Sequence, residues 1–220
     1  MSTIYTVNNK VLKNSANDKW LIKKEAPNYN PLGLPPNTVR VRTSDGNAPA
    51  RFPYSASITT YETATLVPGT TDVYDVYKSG TSFYSLLCSS ENVIEVLGAN
   101  TTGITNMNNM FGNESGFILP LTSVALFDTS SVTDMSGMFA GCSSLTSIPL
   151  FDTSSVTNMS WMFNGCTNVQ SGALALYQQA STQANPPSSH NGTFSNCGSN
   201  TVTGSAELAQ IPSSWGGTGA

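Results

Sequence analysis

Two near-identical segments, 24 residues apart, constrain the fold of this chain more than any other feature of its sequence. Residues 121–139 (LTSVALFDTSSVTDMSGMF) match residues 145–163 (LTSIPLFDTSSVTNMSWMF) at 15 of 19 positions. Weaker copies occur upstream at 83–96 and 103–113, and downstream at 192–199 after an insertion. Degenerate outer copies are expected where terminal units cap a stack of repeats. The pattern therefore predicts a solenoid of about four or five turns.

Each copy is interpreted as one turn made of a strand and a short helix. Leu145, Ile148 and Leu150 have the spacing of a short repeat strand, with Ile148 and Leu150 on one face. The DTSS segment that follows supplies side chains that cap a helix N-terminus. Apolar residues then recur as on one face of a short helix, which Gly165 would end. In the two regular copies the predicted core residues are Val132, Met135, Met138, Phe139, Cys142, Leu145, Ile148, Val156, Met159, Met162, Phe163 and Cys166.

The methionines, cysteines and aspartates of the repeat allow chemical as well as structural interpretations. A methionine stripe could form a soft binding groove, although core packing is favoured. Cys142 and Cys166 stand at equivalent positions of two copies, which favours buried apolar residues over a disulfide or a zinc site. Asp128 and Asp152 could bind Ca²⁺, but helix capping accounts for them without a metal. We therefore expect no metal site and no cofactor.

The sequence contains no residue set with the spacing of a catalytic site. His190 is the one histidine, and it lies in a Ser/Asn/Pro-rich segment without a nucleophile-elbow motif. The WGGTGA segment near the C-terminus lacks the lysine and the following helix of a phosphate loop. We therefore expect a protein that is not an enzyme and has no catalytic residues.

The sequence also predicts a region before the repeats and the bounds of the solenoid. Residues 29–82 are interpreted as a small β-region that caps the solenoid, with an edge strand at Val39–Arg42 and a hairpin turn at Pro68 and Gly69. Residues 83–220 form the solenoid, interrupted at 172–193 by a helix (172–182) and a loop. Residues 206–220 are interpreted as an apolar strand fragment followed by a Gly-rich tail. The predicted fold class is β-rich α+β.

Charge divides the chain into a basic beginning and an acidic remainder. Eight basic and three acidic residues precede Phe52, whereas Lys78 is the one basic residue after it, against ten acidic ones. Residues 1–28 are therefore predicted to be an extended docking arm, with a solvated tail that docks on nothing as the alternative. Its candidate docking residues are Lys10, Lys13, Lys19, Lys23 and Lys24.

The acidic body would repel phosphate, so no nucleic-acid partner is expected. No segment has the length of a signal peptide or membrane span, and no membrane association is expected.

The FDTSSVTNMSWMFNGCTNV segment and its partner copy resemble the repeats of BspA-like leucine-rich-repeat surface proteins, over about residues 88–200. That resemblance implies a curved solenoid used in adhesion and protein recognition. The same repeats occur in bacteriophage particles, and the small β-region joined to them is similar to head-fibre and tail-fibre proteins. This implies a homo-oligomeric capsid-decorating protein.

The expected function is that of a virion surface protein, made in the host cytoplasm without a signal peptide. Its arm would dock on other virion structural proteins of the capsid or tail. Its solenoid would bind a host-surface protein or glycan. The alternative is an adhesin or protein-binding module at a bacterial cell surface.

Overall fold

The computed structural model describes residues 30–49, 61–88, 90–112 and 120–220. The predicted arm at 1–28, with its five lysines, lies outside these ranges. The described part is β-rich, with a five-stranded mixed sheet and two α-helices, as the predicted α+β class requires. Its elements are β1 (Thr38–Thr43), β2 (Thr63–Leu66), β3 (Val73–Tyr77), β4 (Val93–Asn100), β5 (Ser123–Val124), α1 (Ala173–Thr182), α2 (Val202–Leu208) and a 3₁₀ turn (Ser213–Trp215).

The five strands form a sheet in the order β2-β3-β1-β4-β5. The predicted hairpin is confirmed, because β2 and β3 pair antiparallel on either side of Pro68 and Gly69. The prediction of an edge strand at Val39–Arg42 is wrong, since β1 pairs with both β3 and β4. Its valines are buried, while Arg40 bonds Asp75 and Arg42 bonds Glu95 across the strands, each at 2.7 Å. Alternation predicted the strand, but its place in the sheet depends on β4, which lies much later in the chain.

The sheet continues beyond residue 82 toward the repeats. β4 pairs in parallel with β5, which lies in the first regular copy. The second copy follows in the same direction, because the amide of Thr146 donates to the carbonyl of Thr122 at 3.3 Å. Ser147 then bridges Ser171 in parallel. The backbone of the small sheet and one side of the repeats are therefore hydrogen-bonded into one unit. The predicted shared face of Ile148 and Leu150 is wrong, because Ile148 is buried and Leu150 is 51% exposed.

A second set of parallel bridges joins five seven-residue turn segments in the described part of the chain. The bridges run from Ser82 through Asn106, Asp134 and Asn158 to Ser189. Each bridge residue is position 1 of a turn segment, and the positions are numbered along the chain to 7. The turn segments are residues 82–88, 106–112, 134–140, 158–164 and 189–195. Equivalent positions of successive turn segments lie beside one another.

The predicted short helices in the two regular copies are wrong. Across 132–139 and 156–163, which are fully described, the backbone forms turns and no α-helix. The amides of Met135, Gly137 and Phe139 donate to carbonyls of the next turn segment, each at 2.9 Å, instead of to carbonyls within their own segment. A helix needs bonds four residues back along the same segment. The apolar spacing correctly identified inward-facing residues, but it could not distinguish a helix from a stack of turns.

Phenylalanines at position 6 form the centre of the core. Phe139 stacks on Phe111 with ring centroids 5.4 Å apart and on Phe163 at 5.2 Å. Phe163 continues the stack to Phe194 at 6.0 Å. Interplanar angles of 3° to 11° make the rings nearly parallel. Parallel bridges place equal side chains directly over one another, so identical residues at equal positions pack as a column.

The C-terminal part covers the last turn segment. The predicted helix at 172–182 is confirmed as α1. The predicted strand fragment after residue 206 is wrong, because this stretch holds the end of α2 and a 3₁₀ turn. The carboxylate of Glu207 accepts from the amide of Leu174 at 3.0 Å, at the start of α1. This bond satisfies a helix-terminal amide that has no other partner within the helix, and so ties α2 to α1.

Candidate functional site

Positions 3 and 4 of the turn segments follow a fixed pattern. Position 3 is occupied by polar residues that are at least partly exposed: Tyr84, Asn108, Ser136, Ser160 and Asn191. Position 4 is occupied by Ser85, Asn109, Gly137, Trp161 and Gly192, all with a positive φ. We call positions 3 and 4 from Asn108 to Gly192 the turn face. The backbone at position 4 is left-handed in each of these segments, while the residue there changes.

Position 4 has a left-handed backbone in every turn segment. The φ angles are 62° at both Gly137 and Trp161, 52° at Asn109 and 66° at Gly192. Glycine adopts this conformation without strain and asparagine tolerates it, whereas a bulky residue there is an outlier. Trp161 is the only large side chain at this position among the described turn segments. It replaces the glycine of the preceding copy, Gly137.

Trp161 lies on the outside of the molecule, with 47% of its surface exposed. A β-carbon at Gly192 would lie 2.5 Å from Cε3 and Cζ3 of Trp161 and 3.0 Å from Cη2. Near-equal distances to three consecutive ring atoms place Gly192 against the face of the indole ring. The backbone of Gly192 therefore covers one face of the ring, and the exposed 47% of the residue lies on the part that Gly192 does not cover.

The turn face contains no charged residue. Position 7 beside it adds Ala140, Asn164 and Ser195, which are also uncharged. The nearest acidic residue along the turn segments is Asp134, whose carboxylate accepts from the amide of Ser136 at 2.9 Å. The surface around Trp161 therefore offers amide and hydroxyl groups and no net charge.

All the predicted core residues of the two regular copies lie in one buried cluster. Met135, Met138, Met159 and Met162 are 0% exposed. The methionine stripe therefore points inward and cannot form a surface groove. Val132, Phe139, Cys142, Leu145, Ile148, Val156, Phe163 and Cys166 complete the buried set.

Asp128 and Asp152 cap turns through their side chains. Asp128 accepts from the amide of Ser130 at 3.0 Å, and Asp152 accepts from that of Ser154 at 2.8 Å. The same two-residue bond recurs at Asn158 with Ser160. These are Asx turns, which use a short oxygen-bearing side chain to replace a backbone acceptor. In the described ranges no three His, Cys, Asp or Glu residues converge as a metal site would require.

His190 packs against an aromatic ring near the C-terminal end of the turn segments. Its imidazole stacks on the indole of Trp215, with centroids 4.2 Å apart and an interplanar angle of 12°. Its Nδ1 lies 3.0 Å from the carbonyl oxygen of Pro187. These contacts give the His190 ring a structural role in packing against Trp215.

No helix in the described part is both long enough and apolar enough to span a membrane.

The cysteines form part of the buried core. Cys142, Cys166 and Cys197 are free thiols with at most 1% exposure. The thiol of Cys166 donates to the carbonyl of Phe139 at 3.1 Å. Burial raises the pKa of the Cys142 and Cys166 thiols and raises the pKa of Cys197 to about 12, with the carboxylate of Glu207 adding to the last shift. Such thiols are poor nucleophiles at neutral pH.

We expect the native chain to resist thiol labelling and to lose stability in alkali. A thiol whose folded pKa exceeds its unfolded value of 9.0 favours the folded state below pH 9. That stability is lost as the pH rises from 9 toward about 12. The measurement is labelling with a thiol reagent at pH 8, with and without guanidinium, together with urea midpoints at pH 8 and pH 10. Fast labelling of Cys166 in the native chain would contradict the buried assignment.

One family profile matches most of the residues that form the sheet and the turn segments. The family profile described as "Mycoplasma protein of unknown function, DUF285" matches residues 71–198, which is more than half of the chain. The match begins before β3 and ends after the fifth turn segment. No curated protein and no solved structure matches the chain.

Proposed function

The chain belongs to the DUF285 family, and from this premise we propose that it is a non-enzymatic attachment protein. In this proposal the turn face binds a protein or glycan on a host surface. The repeats, which resemble those of BspA-like proteins, form a short leucine-rich-repeat-type solenoid that supports the turn face. The basic arm at 1–28 docks the chain on a phage head or tail.

One observation carries this proposal: the residue at position 4 varies between turn segments, while position 6 keeps one buried residue type from Phe111 to Phe194. Position 6 is phenylalanine from Phe111 to Phe194 and is buried. Position 4 changes from Asn109 through glycine to Trp161 on the same left-handed backbone. A binding scaffold needs this separation, because its surface can then differ at each turn while its core and backbone stay the same.

The solenoid part of the proposal is supported by parallel connections on two sides of the repeats. On one side the turn segments bridge in parallel from Ser82 to Ser189. On the other side β4, β5 and Ser147–Ser171 follow one another in the same direction. Between the two sides, a buried threonine hydroxyl at Thr129 donates to the carbonyl of Asp152 in the next copy at 2.7 Å. Repeats that contact mainly their neighbours are the basis of a solenoid.

The attachment function is tested by measuring whether the labelled full-length chain binds bacterial cells. We expect saturable binding by flow cytometry to the cells that the phage infects, and competition by unlabelled chain. A matched control is the chain with Lys10, Lys13, Lys19, Lys23 and Lys24 replaced by glutamine, which should bind cells as the original does. No saturable binding to these cells would overturn the attachment function.

The particle location is tested separately by mass spectrometry of purified phage particles. We expect the chain at stoichiometric abundance in intact particles, and its loss from them when the five arm lysines are replaced by glutamine. If the chain is absent from particles and is instead recovered from bacterial cell surfaces, the virion location is wrong and the protein is a bacterial adhesin.

A further inference from the structure

We infer that the exposed indole of Trp161 is a stacking platform for a neutral sugar ring, which makes the ligand of the turn face a glycan. This inference rests on the attachment function proposed above and specifies its ligand class. It is carried by three independent features of Trp161: its backbone conformation, the orientation of its ring, and the chemistry of its surroundings.

Packing of the fold does not account for a tryptophan at this position. The equivalent residues are Ser85, Asn109, Gly137 and Gly192, and the backbone of each has the same left-handed conformation. A bulky side chain adopts this conformation at a cost that glycine avoids. With 47% of its surface exposed, Trp161 also lies outside the buried cluster. The side chain therefore strains the backbone without filling the core, as is typical of residues held for binding.

The indole ring of Trp161 packs with one face against the backbone of Gly192. The two are so close that a β-carbon added at Gly192 would lie only 2.5 Å from Cε3 and Cζ3 of the ring. Because glycine has no side chain at 192, the indole ring can pack directly on the backbone there. An exposed aromatic face on a rigid support loses little side-chain entropy when a ligand stacks on it. The axial C–H groups of a pyranose form a flat apolar face that matches such a ring.

The surroundings favour an uncharged sugar over other stacking ligands. Ser160 and Asn191 flank Trp161 at position 3, and Asn164 lies three residues beyond it at position 7. Their hydroxyl and amide groups match sugar hydroxyls, which both donate and accept. An anionic ligand such as a nucleotide or a sialylated or sulfated glycan needs basic groups. The turn segments from 106 to 195 contain no lysine or arginine, and their one histidine, His190, is stacked on Trp215. A neutral glycan is therefore the ligand whose chemistry fits.

The test compares the wild-type chain with Trp161→Asn in binding to neutral oligosaccharides. Asparagine stands at the same position in Asn109 with a φ of 52°, so the variant should fold with a thermal midpoint within about 4 °C of wild type. We expect the wild-type chain to bind at least one member of an array of neutral hexose and N-acetylhexosamine oligomers. Trp161→Asn should lower that affinity at least about tenfold.

A matched control is Tyr77→Thr, which removes another exposed aromatic residue, in β3 and away from the turn face. It should leave saccharide affinity within about twofold of wild type. Trp161→Tyr should restore most of the affinity lost in Trp161→Asn, because it supplies an aromatic face. A wild-type chain that binds no neutral saccharide, or a Trp161→Asn variant that binds as wild type, would overturn the inference.

Cell binding separates failure of this inference from failure of the attachment function. Periodate oxidation of cell-surface glycans should abolish binding of the full chain to host cells, and the Trp161→Asn change should weaken it at least about tenfold, whereas protease treatment of the cells should do neither. If the chain binds cells but only protease abolishes the binding, the attachment function stands and the glycan assignment is wrong. If the chain does not bind cells at all, the attachment function itself is wrong.

Discussion

Replacing Phe139 with alanine is expected to lower the free energy of unfolding by about 3–5 kcal/mol, the range for a large side chain removed from a packed core. Phe139 is 0% exposed and contacts the rings of Phe111, Phe151 and Phe163 at centroid distances of 5.4, 5.9 and 5.2 Å. Its removal would leave a cavity in the middle of the phenylalanine column. Urea denaturation followed by circular dichroism measures the effect.

Leu150→Ala is the control for the Phe139 experiment. Leu150 lies in the same region of the chain but is 51% exposed. Its truncation should change the unfolding free energy by no more than about 0.5 kcal/mol, as for most surface substitutions. Equal effects of the two changes would show that the phenylalanine column does not contribute the stability we assign to it.

Replacing Met159 with aspartate is expected to unfold the repeats, because it would bury a carboxylate among apolar side chains. Met159 is 0% exposed, and its neighbours at position 2 are Met135 and His190. An isolated buried charge costs several kcal/mol, comparable with the whole stability of a domain of this size. The expected result is loss of the cooperative thermal transition in calorimetry.

Met159→Leu distinguishes the effect of charge from that of shape. Because leucine conserves volume and polarity, this variant should lose less than about 1.5 kcal/mol. A Met159→Asp chain that melts like the wild type would mean that position 2 of this turn segment does not face the core.

The inward half of the repeat could be predicted from sequence, because two copies that match at 15 of 19 positions repeat the same apolar residues. The turns could not, since their backbone bonds join residues such as Gly137 and Ser160, which belong to different copies. The same reason explains why β1 was expected at a sheet edge. Local patterns give the direction of side chains, whereas pairing depends on residues far away in the chain.

Trp161 is not among the residues predicted from the sequence, although the sequence contains a signal for it. In the comparison of the two copies, one of the four differences is tryptophan against glycine, at 161 and 137. A glycine that ends or bends a segment often has a positive φ, so a tryptophan at its equivalent position indicates an unusual residue. The sequence also contains a signal for α2, because threonine, a favoured N-cap residue, stands at position 201 just before it. In the structure Thr201 accepts from the amide of Gly204 at 3.0 Å.

The parallel bridges also determine where the chain can change in length. Successive bridge residues, from Ser82 to Asn106, Asp134, Asn158 and Ser189, are 24, 28, 24 and 31 residues apart. The turn segments nevertheless stay aligned, so the additional residues lie between turn segments and not within them. Lengthening a loop costs little closure entropy. The distance between neighbouring turn segments therefore does not depend on the number of residues that connect them. New surface can therefore be inserted between two turns without moving the side chains on either one.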